Sequence, residues 1–243
     1  MVVGPFVNGA VIVIGGVVGA MLGEKMPTRL RIALPMTLGL ASMGMGIALI
    51  VKLQFLPAVV LSLVLGTIFG EMIALEQGIG KVAGLARNLI SRGDDKNAVA
   101  ADPLAHEEFL EKFVAILVLF CASGTGIFGS MNEGMTGDPS ILYAKSILDL
   151  CTAAIFATGL GYSVATIAIP QFAIQFSLAL GAVWIMPMTT PAMIADFSAV
   201  GGMIMLATGF RICGIKVFHV ANMLPGLLIV MPVSALWLKY MVH

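Results

Sequence analysis

Apolar runs of about 20 residues recur along most of this chain, and they limit its fold more than any other feature. A helix of that length spans a hydrocarbon core of roughly 30 Å. Inside lipid the backbone must satisfy its own hydrogen bonds, which a helix does within one segment. The pattern therefore predicts an all-α membrane protein. Composition agrees, since 59% of the 243 residues are hydrophobic and 11% charged, against roughly a quarter charged in a soluble domain. Lys and Arg balance Asp and Glu at 13 each. That leaves no basic footprint for nucleic acid, and the lipid bilayer is the expected partner.

Hydropathy with Pro and Gly punctuation predicts about eight crossings, at 5–23, 32–51, 55–75, 113–128, 147–167, 170–187, 191–210 and 220–238. The fourth is short, as a helix broken inside the bilayer would be. One set of alternate loops carries Lys25, Arg29, Arg31, Lys81, Arg87, Arg92, Lys96, Lys112, Arg211 and Lys216; the other carries Lys52, Lys145 and Lys239. Basic loops face the cytoplasm, so both termini are expected to face outward. The first apolar run lacks a basic leader and a cleavage site and is read as a retained helix. Cys121, Cys151 and Cys213 have no metal or CxxC spacing and read as small residues of buried helices.

A single polytopic domain over 1–243 is expected, with one sizeable soluble piece at 76–112. In that piece Ile79, Val82, Leu85, Leu89 and Ile90 share a face, predicting an amphipathic helix along the cytoplasmic surface. His106-Glu107 is not a zinc motif, because HExxH would place His where Leu110 stands. No metal or other cofactor is expected, and no Ser/His or Cys/His pair at one depth suggests an enzyme.

Two stretches resemble each other. Residues 26–47 and 190–212 each have a proline near the front, Pro27 and Pro191, and carry two glycines seven residues apart, Gly39 and Gly46 in one, Gly202 and Gly209 in the other. LPAVVLSLVLG from Leu56 likewise resembles LPGLLIVMPVS from Leu224. The offset is five helices, so an inverted-topology repeat of helices 1–3 and 6–8 is expected, an architecture common in secondary transporters. The alternative is that two Gly-rich apolar helices align by composition.

Polar groups are costly in hydrocarbon, so their positions point to sites. FCASGTGIFGSMNEGMTGDPSILYAKSILDL, from Phe120 to Leu150, concentrates Asn132, Glu133, Asp138 and Lys145 among glycines between two apolar runs. It predicts a broken or re-entrant segment near 122–142. Asn8, Asp149 and Asp196 fall toward the outer ends of predicted helices one, five and seven. With the 132–138 loop they are expected to form an outward-facing acidic vestibule for a small solute or ion. Lys145 and Asp149, one helical turn apart, can pair. Glu71 is a candidate inner gate, and Gln171 and Gln175 are weaker inward candidates. Each residue also has a structural reading: a wet loop for Glu133 and Asp138, an interfacial ion pair for Lys145 and Asp149, headgroup depth for Asp196, snorkelling for Glu71, and a helix-to-helix hydrogen bond for Asn8.

GIFGSMNEGMTGDPSILYAKSILD, the ADFSAVGGMIMLATGF stretch and FVNGAVIVIGG together resemble the YqgA/YdfK-like family of bacterial inner-membrane proteins, a domain of unknown function. The resemblance implies a multi-pass protein of the bacterial inner (cytoplasmic) membrane with a transport role, and supplies neither a substrate nor catalytic residues. The expected function is a secondary transporter of a small solute, coupled to protons or sodium through intramembrane carboxylates. A cation channel or an accessory membrane protein remains the alternative, and homo-oligomer formation is left open.

Overall fold

The computed structural model describes residues 2–79, 81, 109, 112, 113, 116, 117, 119–121 and 123–241. Among them the chain is helical, without strands. The long helices are α1 (Gly4–Leu22), α2 (Thr28–Ile50), α3 (Leu56–Met72), α4 (Gly124–Thr136), α5 (Ser140–Leu160), α6 (Ala168–Ile185), α7 (Pro191–Ile212) and α8 (Pro225–Met241). One-turn helices Ser163–Thr166 and Val220–Met223 lead into α6 and α8. Six spans are long and apolar enough to cross a membrane, and Leu56–Met72 is a shorter apolar helix. Of the amphipathic helix expected over 76–90, residues 76–79 and 81 are described and helical, and the rest of it and the loop that follows lie outside the described residues.

Local chemistry sets the helix ends. Pro57 and Pro191 occupy first-turn positions, where a missing N–H costs nothing. Thr190 caps α7 by accepting from the Met193 amide at 3.3 Å, and Ser123 caps α4 by accepting from Gly126. At the far end of α4, Gly137 takes the left-handed conformation (φ 75°) and donates its N–H to the Glu133 carbonyl, as a helix-ending glycine does. Asp138 then accepts from the Ser140 amide at 3.0 Å and starts α5.

These ends correct two expectations. The chain breaks at the extended Ser123, within the 122–142 segment expected to be broken, but the fourth helical stretch does not end at 128: α4 carries it as far as Thr136. Asn132 and Glu133 are therefore buried in a helix and not on a loop; the physical reason for Glu133 is its bonding, given below. The fifth helix begins at Ser140, seven residues before the expected start, where the Asp138 carboxylate takes the Ser140 amide across Pro139.

Small residues let the helices approach. A Cβ on Gly46 would stand 2.5 Å from the Gly202 carbonyl oxygen, and one on Gly202 would stand 2.5 Å from that of Gly46. Gly39 and Gly209 face each other in the same way, so α2 and α7 run antiparallel. Gly66 meets Gly226 and Gly70 meets Asn222, making α3 and α8 antiparallel too. Gly4, Gly15 and Gly19 meet Leu142, Leu150 and Ala154 in turn, so α1 runs parallel to α5. Gly202→Val is expected to push α2 off α7 and cost about 1–3 kcal/mol. Thermal unfolding in detergent measures this, and an unchanged midpoint would contradict the close approach.

The bundle thus has two ends. One holds the α2–α3 connection, the Asp138 turn and the start of α7; the other holds the end of α3, the end of α7 and the start of α8. They are called here the Asp138 end and the Arg211 end. One apolar core, including Phe128, Phe197, Met205 and Leu227, is centred on α7; a second gathers Ile12, Phe113, Phe120, Ala153 and Ile167.

Candidate functional site

Two carboxylates that the sequence marks as site residues are held by helix ends. Glu133, 1% exposed, accepts from the Val3 amide at 2.6 Å and the Gly4 amide at 2.9 Å. Asp196, 0% exposed, accepts from the Gln54 and Phe55 amides at 2.8 and 3.0 Å and from the Ser234 hydroxyl at 2.7 Å. The first amides of a helix have no partner within it and carry its positive dipole end. Glu133 takes the first amide of α1 and the one before it, and Asp196 takes the two amides that lead into α3. This is how both charges are tolerated inside.

Lys145 and Asp149 behave differently. They are 2% and 7% exposed and form a buried ion pair one turn apart on α5. Asp149 also accepts from Gln171 Nε2 at 2.9 Å, and that nitrogen lies 3.4 Å from Asn8 Oδ1. The Lys145 ammonium sits 5.8 Å from the centre of the Phe120 ring. Asn8 Nδ2, Gln171 Oε1 and both amide atoms of Gln175 are buried without a hydrogen-bond partner among the described residues. Gln175 belongs to the same cluster, since a Cβ on Gly126 would meet both its amide nitrogen and Lys145.

Lys145 and Asp149 line a cavity of about 800 Å³. Ser123 and Thr125 border it, so α4 begins at its edge. Its walls are mostly apolar, with Leu38, Ile116, Leu148, Ile155 and Phe156 among them, and it runs to Glu76 and Arg211. Those two form a 2.7 Å ion pair whose arginine side chain is 43% exposed. The cavity therefore joins a buried ion pair to the Arg211 end.

The expected single acidic vestibule is thereby replaced by three arrangements. Asn8, Lys145 and Asp149 come together. Glu133 and Asp196 are bound to backbone amides and line neither described cavity. Asn132 and Asp138 line a smaller cavity of about 280 Å³ at the other end, with Lys52. Asp138 is held below the usual carboxylate range by its hydrogen bond from the Ser140 amide. Glu71 is exposed at the Arg211 end, 2.9 Å from His219 Nδ1, and does not line the large cavity. Among the described residues no cluster of three or more His, Cys, Asp and Glu could hold a metal ion.

The hydrogen bond that His219 donates to Glu71, with the charge of that carboxylate, raises the pKa of His219. Because the folded value lies above the unfolded one, the pair contributes fully below the unfolded pKa and loses its contribution as pH rises through the folded value. Glu71→Gln is expected to bring the His219 titration down, read by NMR; an unmoved titration would contradict the pairing.

Gln171 and Gln175 were underweighted by the sequence. Their signal was register: Gln171 follows Asn8 by 163 residues, the separation between Gly39 and Gly202 in the aligned stretches.

A family model described as "Protein of unknown function (DUF554)" matches residues 3–235. The chain belongs to this family. Within it, the chain is 55% identical over 237 residues to a protein of Escherichia coli (strain K12) described as "Uncharacterized protein YqgA", covering 98% of both chains. It is 27% identical over 232 residues, 93% of both, to the "Uncharacterized membrane protein YdfK" of Bacillus subtilis (strain 168). No solved structure matches. The match over nearly the whole chain establishes the resemblance read from the motifs, and this DUF554 chain is a membrane protein.

Proposed function

We propose that this DUF554 protein is a secondary carrier of a small solute, with the Lys145–Asp149 pair at the head of the large cavity as its binding site. One observation carries the reading: a charged pair, excluded from solvent, borders a chamber whose lining runs to the exposed Arg211. Buried charges in a membrane protein are costly and mark solute or ion paths. On the loop-charge rule the Arg211 end faces the cytoplasm, and the chamber is inward-open. A proton or sodium ion taking turns at Asp149 would couple transport to a gradient.

An inverted repeat of α1–α3 and α6–α8 supports the carrier reading. Asn8 meets Gln171, and the Ser42 hydroxyl donates to the Met205 carbonyl at 3.0 Å, each across 163 residues. Residues on a two-fold axis touch their own counterparts, as these do. The same rotation exchanges the Gly39–Gly209 contact with the Gly46–Gly202 contact. Two inverted halves can swap which end is open, and the smaller cavity at the Asp138 end stands where the alternative opening would form.

The test is a thermal-shift screen of the detergent-purified protein against Na⁺, K⁺, Li⁺, pH steps and a metabolite panel, beside Asp149→Asn. A ligand at about 100 times its Kd stabilises by roughly 2.7 kcal/mol. A shift lost in a folded Asp149→Asn protein supports the site. Shifts indifferent to that substitution would place binding elsewhere.

A further inference from the structure

The charge balance of the site restricts what can occupy it. Lys145 and Asp149 neutralise each other, and each is buried. A ligand that bound Lys145 with a lone negative charge would leave Asp149 without its cation, and a lone positive charge on Asp149 would strand Lys145. An uncompensated buried charge is strongly unfavourable. The pair opens at low cost only to a ligand that replaces both partners.

The surroundings are two-signed in the same way. On one side are Ser123, Thr125 and the amide end of α4, whose dipole favours a carboxylate. Behind the pair, outside the cavity's own lining, are the amides of Gln171, which bonds Asp149, of Asn8, which meets Gln171, and of Gln175, which lies with Lys145 against Gly126; each is 3% exposed or less. Their unpartnered atoms are two donors, Asn8 Nδ2 and Gln175 Nε2, and two acceptors, Gln171 Oε1 and Gln175 Oε1. Exchanging oxygen and nitrogen within any one amide leaves both kinds present, because Gln175 supplies one of each. Beyond Lys145, Asp149, Ser123 and Thr125 the chamber is walled by Leu38, Ile116, Leu148, Ile155 and Phe156, and about 800 Å³ holds a small organic molecule with room to spare.

We infer that the ligand is a small zwitterion with an apolar body, of the apolar amino-acid class. Its carboxylate takes Lys145 and the start of α4, its ammonium takes Asp149, and its side chain lies against the aliphatic wall. The inference rests on the carrier reading and specifies its substrate. It involves no covalent step.

Binding to the unmodified protein tests it without a variant that risks misfolding. L-Leucine, L-isoleucine, L-valine, L-methionine and L-phenylalanine are titrated by thermal shift, each beside its amide, which carries only the positive charge, and its des-amino acid, which carries only the negative. At least one zwitterion is expected to bind saturably, with both single-charge analogues weaker by about a hundredfold or more. An amide or des-amino acid binding as tightly as its zwitterion overturns the inference. If that binding is lost in Asp149→Asn, the carrier site survives and only the ligand class falls. No binding by any of the five zwitterions also overturns the inference, while the wider solute screen and solute exchange judge the carrier reading separately.

Discussion

Asp149→Leu should destabilise the protein by about 3–5 kcal/mol, and adding Lys145→Leu should recover most of that loss. The asymmetry follows from burial. Removing Asp149 leaves the Lys145 ammonium in the interior without its counter-charge, and frees Gln171 Nε2 from its 2.9 Å acceptor. Removing both charges leaves an apolar helix face beside an apolar chamber. Chemical unfolding of the parent, the two single variants and the double variant gives the coupling directly. A double variant less stable than Asp149→Leu would show that the pair is not an isolated buried unit. Solute binding should be lost in all three variants, so stability and function separate in the double one.

Asp196→Ala should cost about 3 kcal/mol or more, because three donors lose one acceptor in a site with no exposure. Asp196→Asn keeps an acceptor oxygen and should lose less. Both belong to the frame that fixes the start of α3 against α7 and α8. Neither should alter the affinity of the folded protein for a solute held at Lys145 and Asp149. A stable Asp196→Ala protein that had lost solute binding would reverse these assignments and return Asp196 to the site.

The contrast between Asp149 and Asp196 shows where the sequence was legible. Apolar run length identified the spans because lipid imposes it, and the 145/149 spacing revealed the ion pair because one helical turn is local geometry. The partners of Glu133 and Asp196 are backbone amides 129 to 142 residues away. Backbone amides have no sequence signature, so both acids looked like solute ligands. Depth failed for a related reason. Placing the start of α5 at 147 instead of Ser140 set Asp149 about 10 Å too near the helix end. Asp138-Pro139-Ser140 held the information, but a cap read as a loop moves everything after it. The glycine pattern set α2 beside α7 in an alignment, yet only the packing revealed that Gly39 lies against Gly209 and Gly46 against Gly202.

The most direct measurement is solute exchange by purified protein in liposomes, comparing the parent with a folded Asp149→Asn variant. The account predicts saturable uptake that is accelerated by the same solute preloaded inside and abolished by the substitution. Unitary currents without such acceleration, or exchange that survives loss of the Asp149 charge, would contradict it.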